Sequence, residues 1–150
     1  MKPHSSRLQL GNYAHRVDIP SRFADVDPLW HLNNVRIVEL YQEGRVAFNQ
    51  TLGREYNLLR DSDHRLVVAR QSVDYLGEVK WPGSVLIGIA ASRVGSSSFT
   101  LALAMFQHDN CVGVSDTVMV YASARGPQPL PDRMRELLQK NLFRDPAGLA

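Results

Sequence analysis

The sequence predicts an α+β domain in which an antiparallel sheet wraps around one long central helix. Three observations carry this prediction. A short strand-like segment at 14–19 comes first, a long apolar helical stretch at 33–52 follows, and segments rich in β-branched and aromatic residues then run in succession from 66 to 124. A helix that is apolar over so wide an arc must be wrapped, and a curved sheet does that. The 150 residues, 44% hydrophobic and 21% charged, have the composition of one soluble globular domain. A chain of this size buries roughly 68–70% of the surface its unfolded form exposes, so it needs neither a disulfide nor a metal to fold. One domain over residues 1–150 is expected, with its core at about 14–140 and both termini flexible.

Each element has a local reason. Ala14 to Ile19 has the β-branched content of a short strand, and Pro20 ends it. Val38, Tyr41, Arg45 or Ala47, Phe48 and Leu52 recur at near-helical period, with Ile37, Leu40 and Val46 broadening the face. Asn33 or Asn34 can cap the first free amides, and Gly53 is placed for the left-handed C-terminal position. Gly44, mid-helix, costs about 1 kcal/mol relative to Ala, so a neighbour is expected to pack close to its backbone. Leu66–Ala69, Val73–Val79, Val85–Val94, Phe99–Gln107 and Cys111–Ala124 read as strands. Reversals are expected at Trp81-Pro82-Gly83-Ser84, Gly95-Ser96-Ser97-Ser98 and His108-Asp109-Asn110, so the last three strands should form an antiparallel meander. Pro131–Leu138 starts a short helix, and the tail after Arg144 should fray.

Composition also narrows function. Seventeen basic and fifteen acidic residues leave a net charge of +2 with no block of like charge, which argues against a nucleic-acid partner. The lone Cys111 cannot form an intrachain disulfide and has no neighbouring thiol to share a metal, as expected in a reducing compartment. No apolar run approaches the length of a membrane span, and Met1–Arg7 lacks the apolar region of a signal peptide. A cytoplasmic protein with no membrane partner is the expectation.

The densest polar cluster precedes the long helix: Arg22, Asp25, Asp27, His31, Asn33 and Asn34. A helix start offers unpaired amides and a positive dipole end, where an oxygen gaining negative charge is stabilised. Asp27 lies before the helix at a spacing that leaves room for a substrate carbonyl.

Arg22-Phe23-Ala24-Asp25-Val26-Asp27, then His31-Leu32-Asn33-Asn34, then Tyr41-Gln42-Glu43-Gly44-Arg45 closely resemble the signature of the hot-dog-fold acyl-CoA thioesterases related to 4-hydroxybenzoyl-CoA thioesterase. The likeness continues through Val67-Val68-Ala69-Arg70, Val73-Asp74-Tyr75-Leu76, Pro82-Gly83, Ser97-Ser98-Phe99-Thr100 and Pro129-Leu130-Pro131, so it covers roughly residues 14 to 140 in order. It implies a long helix wrapped by an antiparallel sheet, and homodimers joined through their sheets or homotetramers built from them. It places thioester sites at the dimer interface and implies hydrolysis of an acyl-CoA to a free acid and CoA, with no cofactor or metal.

The resemblance assigns the catalytic carboxylate to Asp27 and the carbonyl-polarising backbone amide to Asn34. His31, Asn33 and Trp30 are candidate substrate contacts, and because a CoA moiety carries phosphates, Arg93, beside the Val94–Ser98 turn, and Arg125, after the last strand, are candidates to bind them. Two positions depart from the family pattern: Trp30 stands where Gly is usual, which reshapes the acyl pocket, and Ile37 replaces a frequent Tyr, which removes a hydroxyl. By composition alone Asp27 before Pro28 reads as a turn-forming residue, and the resemblance shifts that reading to catalysis. Asp25 reads as structural, pairing with Arg22. His31 is more often structural than a base, Asn33 and Asn34 serve equally as caps, and Glu43 is expected in an ion pair with Arg45 or another Arg. Ser96–Ser98 lacks a nucleophile elbow and reads as a turn, and Cys111 as a small core residue. Trp30 and Trp81 could line the acyl path or a subunit contact. The competing reading is a non-catalytic hot-dog subunit that binds an acyl thioester or serves in assembly.

Overall fold

The computed structural model describes residues 2–54 and 63–145. Its elements are β1 (His15–Pro20), α1 (Asn34–Arg54), β2 (His64–Tyr75), β3 (Ser84–Val94), β4 (Ser98–Gln107), β5 (Asn110–Ser123), the two-residue β6 (Gly126–Pro127) and α2 (Asp132–Lys140). All pairings are antiparallel, in the order β1-β3-β4-β5-β2 with β6 on β5. The meander β3-β4-β5 is the expected one. The sheet curls around α1, as the resemblance implies.

Strand alternation sorts the side chains onto two faces. Ile87, Ile89, Leu101, Leu103 and Met105 face α1, where Leu40, Tyr41, Phe48 and Leu52 meet them, and Met134 and Leu138 of α2 join the same cluster. The outward residues Ala90, Ala102, Ala104 and Phe106 are covered by the chain ends, through Leu10, Tyr13 and Phe143. Arg7 locks that cover by donating to Asp116 Oδ1 at 2.9 Å and to the Ser115 carbonyl at 3.1 Å. No helix among the described residues is long and apolar enough to cross a membrane.

Of the two cap candidates one is selected, and three readings of the sequence change in detail. Asn33 is the N-cap: its Oδ1 accepts the Val35 amide at 2.9 Å. The helix runs from Asn34 through Gly53 to Arg54, so Gly53 lies within it. The segments at 66–69 and 73–79 are one strand, β2, with a bulge between Val68 and Arg70, and Val79 belongs to the following loop. The polar Arg70-Gln71-Ser72 does not interrupt an edge strand, whose free side tolerates exposed polar groups. The helix is also turned: Val38 and Val46 are exposed, whereas Arg45 and Asn49 are buried. Of the tail after Arg144 expected to fray, residues 146–150 lie outside the described residues.

Gly44 explains that rotation. A Cβ placed on it would sit 2.8 Å from Ile87 Cγ2 of β3, so the absence of a side chain brings the helix backbone onto the sheet. Arg45 and Asn49 turn inward with the Gly44 line. Gly44→Ala should lower stability by about 1–3 kcal/mol through overpacking, despite an intrinsic helical gain of up to about 1 kcal/mol. Urea unfolding of the two proteins measures the difference.

Candidate active site

Between β1 and α1 the chain makes a 3-10 turn at Phe23–Asp25 and a small loop that returns on itself through a Val26–Leu32 bridge. Asp25 is the hub. Its Oδ2 accepts the Arg22 amide at 2.9 Å and its Oδ1 the Arg22 Nη2 at 2.7 Å, so the expected Asp25–Arg22 pair is present. Arg36 Nε of α1 lies 3.2 Å from the same carboxylate, and the Asp25 carbonyl accepts the Asn33 amide at 2.9 Å. The hydrogen bonds from the Arg22 side chain hold the Asp25 carboxyl below the ordinary carboxylate range, against the opposing effect of burial. Arg36 also reaches Glu39 at 3.0 Å and Glu43 at 2.8 Å. Glu43 is therefore ion-paired, with Arg36 as its partner. Arg45 instead donates to Gln71 Oε1 at 3.3 Å.

Asp27 forms the turn that composition suggested. Its Oδ1 accepts the Leu29 amide at 2.8 Å and, more weakly, the His31 amide at 3.4 Å, while its backbone exchanges bonds with Trp30 and His31. Oδ2 takes no hydrogen bond among the described residues. Trp30 closes the turn at φ 65 and is exposed. That left-handed conformation gives a physical reason for the usual Gly at this position, because a Cβ costs roughly 1–2 kcal/mol there.

The loop is held from the far side by residues 78–80. The Leu32 amide donates to the Val79 carbonyl at 2.8 Å, His31 bridges to Lys80, and His31 Nε2 lies 3.0 Å from Glu78 Oε2. His31 therefore faces Glu78. Asn34 is the first helical residue, and its backbone amide has no acceptor among the described residues. Asp27, Trp30, His31, Asn33 and Asn34 thus share one loop–helix junction, flanked by exposed apolar groups at Phe23, Leu29 and Trp81, with Phe23 and Trp81 in edge contact.

Arg93 is elsewhere. It is exposed near the end of β3, paired across from Thr100. At about 3.3 Å per residue it lies roughly 30 Å of strand from Ser84, the end of β3 that neighbours β1 and the loop. Arg125 follows β5, beside the short β6. Ile37 is buried in the core, Ser96–Ser98 forms the β3–β4 turn, and Cys111 is half-buried at the outer-face cluster. Two features escaped the sequence reading. Arg36 was detectable, since Arg36, Glu39 and Glu43 stand at helical spacing on one face. The support from Glu78 to Lys80 carries no local signal. Among the described residues, no group of three or more His, Cys, Asp or Glu side chains is placed to hold a metal ion.

The arrangement combines an unpaired amide at the positive end of a helix with a carboxylate oxygen left free by its own turn. Such a pair can polarise a carbonyl and direct an attack on it.

A family model for the thioesterase-like superfamily matches residues 21–138. YsmA of Bacillus subtilis, an uncharacterized protein, is 35% identical over 81 residues, which are 53% of this chain and 52% of that one. The chain thus matches about half the length of this curated relative. A thioesterase from Thermus thermophilus, solved as a complex with coenzyme A and Zn, superposes with a TM-score of 0.77 at 27% identity, covering 89% of this chain and 98% of that one. A putative thioesterase from Pseudomonas aeruginosa, PA2801, gives a TM-score of 0.74 at 28% identity, covering 83% and 98%.

Two outcomes are expected from the loop itself. Trp30→Gly should raise stability by about 1 kcal/mol by removing the left-handed strain, measured by chemical denaturation. Asp25→Asn should be less stable than wild type at neutral pH. Because the folded carboxyl titrates lower than the unfolded one, its contribution is full above the unfolded value of about 3.9 and is lost as pH falls through the folded value. Urea unfolding across pH should show the gap closing on acidification.

Proposed function

Because the chain belongs to the thioesterase-like superfamily and has its hot-dog fold, we propose that it hydrolyses an acyl-CoA thioester to a free carboxylic acid and CoA. The observation that carries this reading is the junction of loop and helix, where the Asn34 amide is unspent and Asp27 keeps one carboxylate oxygen free. In this reading the thioester carbonyl accepts a hydrogen bond from the Asn34 N–H. Asp27 either attacks the carbonyl carbon or takes a proton from a water that does. The C–S bond then breaks, and the electron pair leaves on the CoA thiolate, a good leaving group that needs no strong external acid; on the first route water then cleaves the mixed anhydride on Asp27, releasing the acid and restoring the carboxylate.

His31, Asn33 and Trp30 line the same approach. His31 is steadied by Glu78, and Asn33 sets the helix start by capping it. The CoA phosphates are assigned to Arg93 or Arg125; with Arg93 at the far end of β3, that contact fits a site completed by a second copy. A homodimer, or a homotetramer built from it, is supported by the free edge of β2 and by the exposed Val67, Val68, Tyr75 and Leu76 on and beside that strand. Sedimentation at a multiple of the 16.8 kDa chain mass checks it. A cytoplasmic setting suits an acyl-CoA substrate.

A panel of acyl-CoAs, followed with a thiol reagent, tests the activity. Asp27→Asn should lose most of the turnover while keeping fold and oligomer. Asn34→Pro removes the N–H at the helical position most tolerant of proline and should cost about 100- to 1,000-fold in rate, whereas Asn34→Ala, which keeps the amide, should cost little. Failure of the wild-type protein to release thiol from any member would leave the binding or assembly subunit, which the turn-forming bonds of Asp27 favour.

A further inference from the structure

Gln107 stands where the β4 pattern calls for an apolar residue. The inward positions Phe99, Leu101, Leu103 and Met105 are all core hydrophobics, and the next in the alternation is this buried carboxamide. It is set just before a two-residue turn, His108-Asp109, whose φ values of 49 and 64 are both left-handed, and it pairs across the hairpin with Asn110. Its side chain makes both bonds that a neighbouring strand would make. Oε1 accepts the Lys80 amide at 2.9 Å, and Nε2 donates to the Lys80 carbonyl at 2.8 Å. Lys80 in turn bridges to His31, and the Val79 carbonyl takes the Leu32 amide at 2.8 Å. A continuous ladder therefore runs from the last residue of β4 through 79–80 to 31–32, ending two residues before the unspent Asn34 amide.

We infer that Gln107 is a positioning residue for the reaction: its side-chain ladder sets the height of the Asn34 N–H over the sheet, and with it the alignment of that donor on the thioester oxygen. This rests on the thioesterase reading. The amide at this inward position pairs both backbone groups of Lys80, the residue that carries the ladder on to His31. A leucine would satisfy the core but leave the Lys80 N–H and C=O unpaired.

Gln107→Glu separates this role from simple stability. As a protonated acid the new side chain can accept from the Lys80 N–H and donate to the Lys80 carbonyl, as the amide does. Once ionised it loses the donor and sets a negative oxygen against the carbonyl. Burial and that carbonyl both raise its pKa above the ordinary Glu value of about 4.3. The surrounding titratable groups, Asp18, His108, Asp109, Lys80, His31 and Glu78, are all present in the wild type, whose own pH profile is the control. The expected result for Gln107→Glu is near-wild-type kcat at the acid end and a fall approaching 100-fold as pH rises, with KM changed less than twofold. Gln107→Leu should show the loss at every pH. The amide NMR resonances of Leu32 and Asn34 in Gln107→Glu should titrate with the same midpoint, which needs no turnover to observe. Wild-type kcat across pH in both variants, or Leu32 and Asn34 resonances that stay still while the introduced carboxyl titrates, would overturn the assignment. An inert wild-type protein would sink the thioesterase reading instead, with the resonance titration still deciding the ladder.

Discussion

The start of α1 is fixed by one carboxylate. Asp25 gathers the Arg22 amide and guanidinium and the Arg36 side chain, and its own carbonyl takes the Asn33 amide. Two arginines and one acid converge on a nearly closed site, so the charge is compensated as it is withdrawn from water. The helix cap, the first free amide and the Asp27 turn all follow from where this hub puts residues 22–36. The first acid of the Asp-x-Asp pair therefore has a structural task of its own, separate from the turn that Asp27 forms.

A second constraint acts along the helix. With Gly44 against Ile87, α1 can neither rotate nor slide without a steric clash. The loop is thus pinned at the Asp25 end by charge and at mid-helix by contact. Its outer side rests on 78–80 by backbone pairing. Three different kinds of interaction thus hold the loop and the start of α1 in one arrangement.

The fold was legible because its signals are local. The 3.6-residue apolar period of α1, the alternation in β3 and β4, and the turn residues between strands each depend on neighbours in sequence. The Asn33 cap and the packing at Gly44 were legible for the same reason. The rotation of α1 was not: Val38 and Val46 look like core positions until contact with the sheet turns Arg45 and Asn49 inward instead. Of the candidate residues, the polar cluster before the helix does fold as one loop–helix junction, as its closeness in sequence suggests. Asp27 forms the turn that composition suggested through one oxygen, Oδ1, and Oδ2 takes no hydrogen bond among the described residues. Arg93 lies, by strand length alone, at the end of β3 opposite the loop within one copy, a separation that no local pattern displays. The partnership of His31 with Glu78 depends on a pairing between distant segments, for which no local pattern exists.

The covering of the outer sheet face by the two chain ends has a directional consequence. Another sheet could stack on that side only after Tyr13 and Phe143 were peeled away and the Arg7–Asp116 ion pair broken. The rim of β2, by contrast, has no strand beside it among the described residues. The sheet is thus sealed on its outer face by the segments around Tyr13 and Phe143 and open in its own plane.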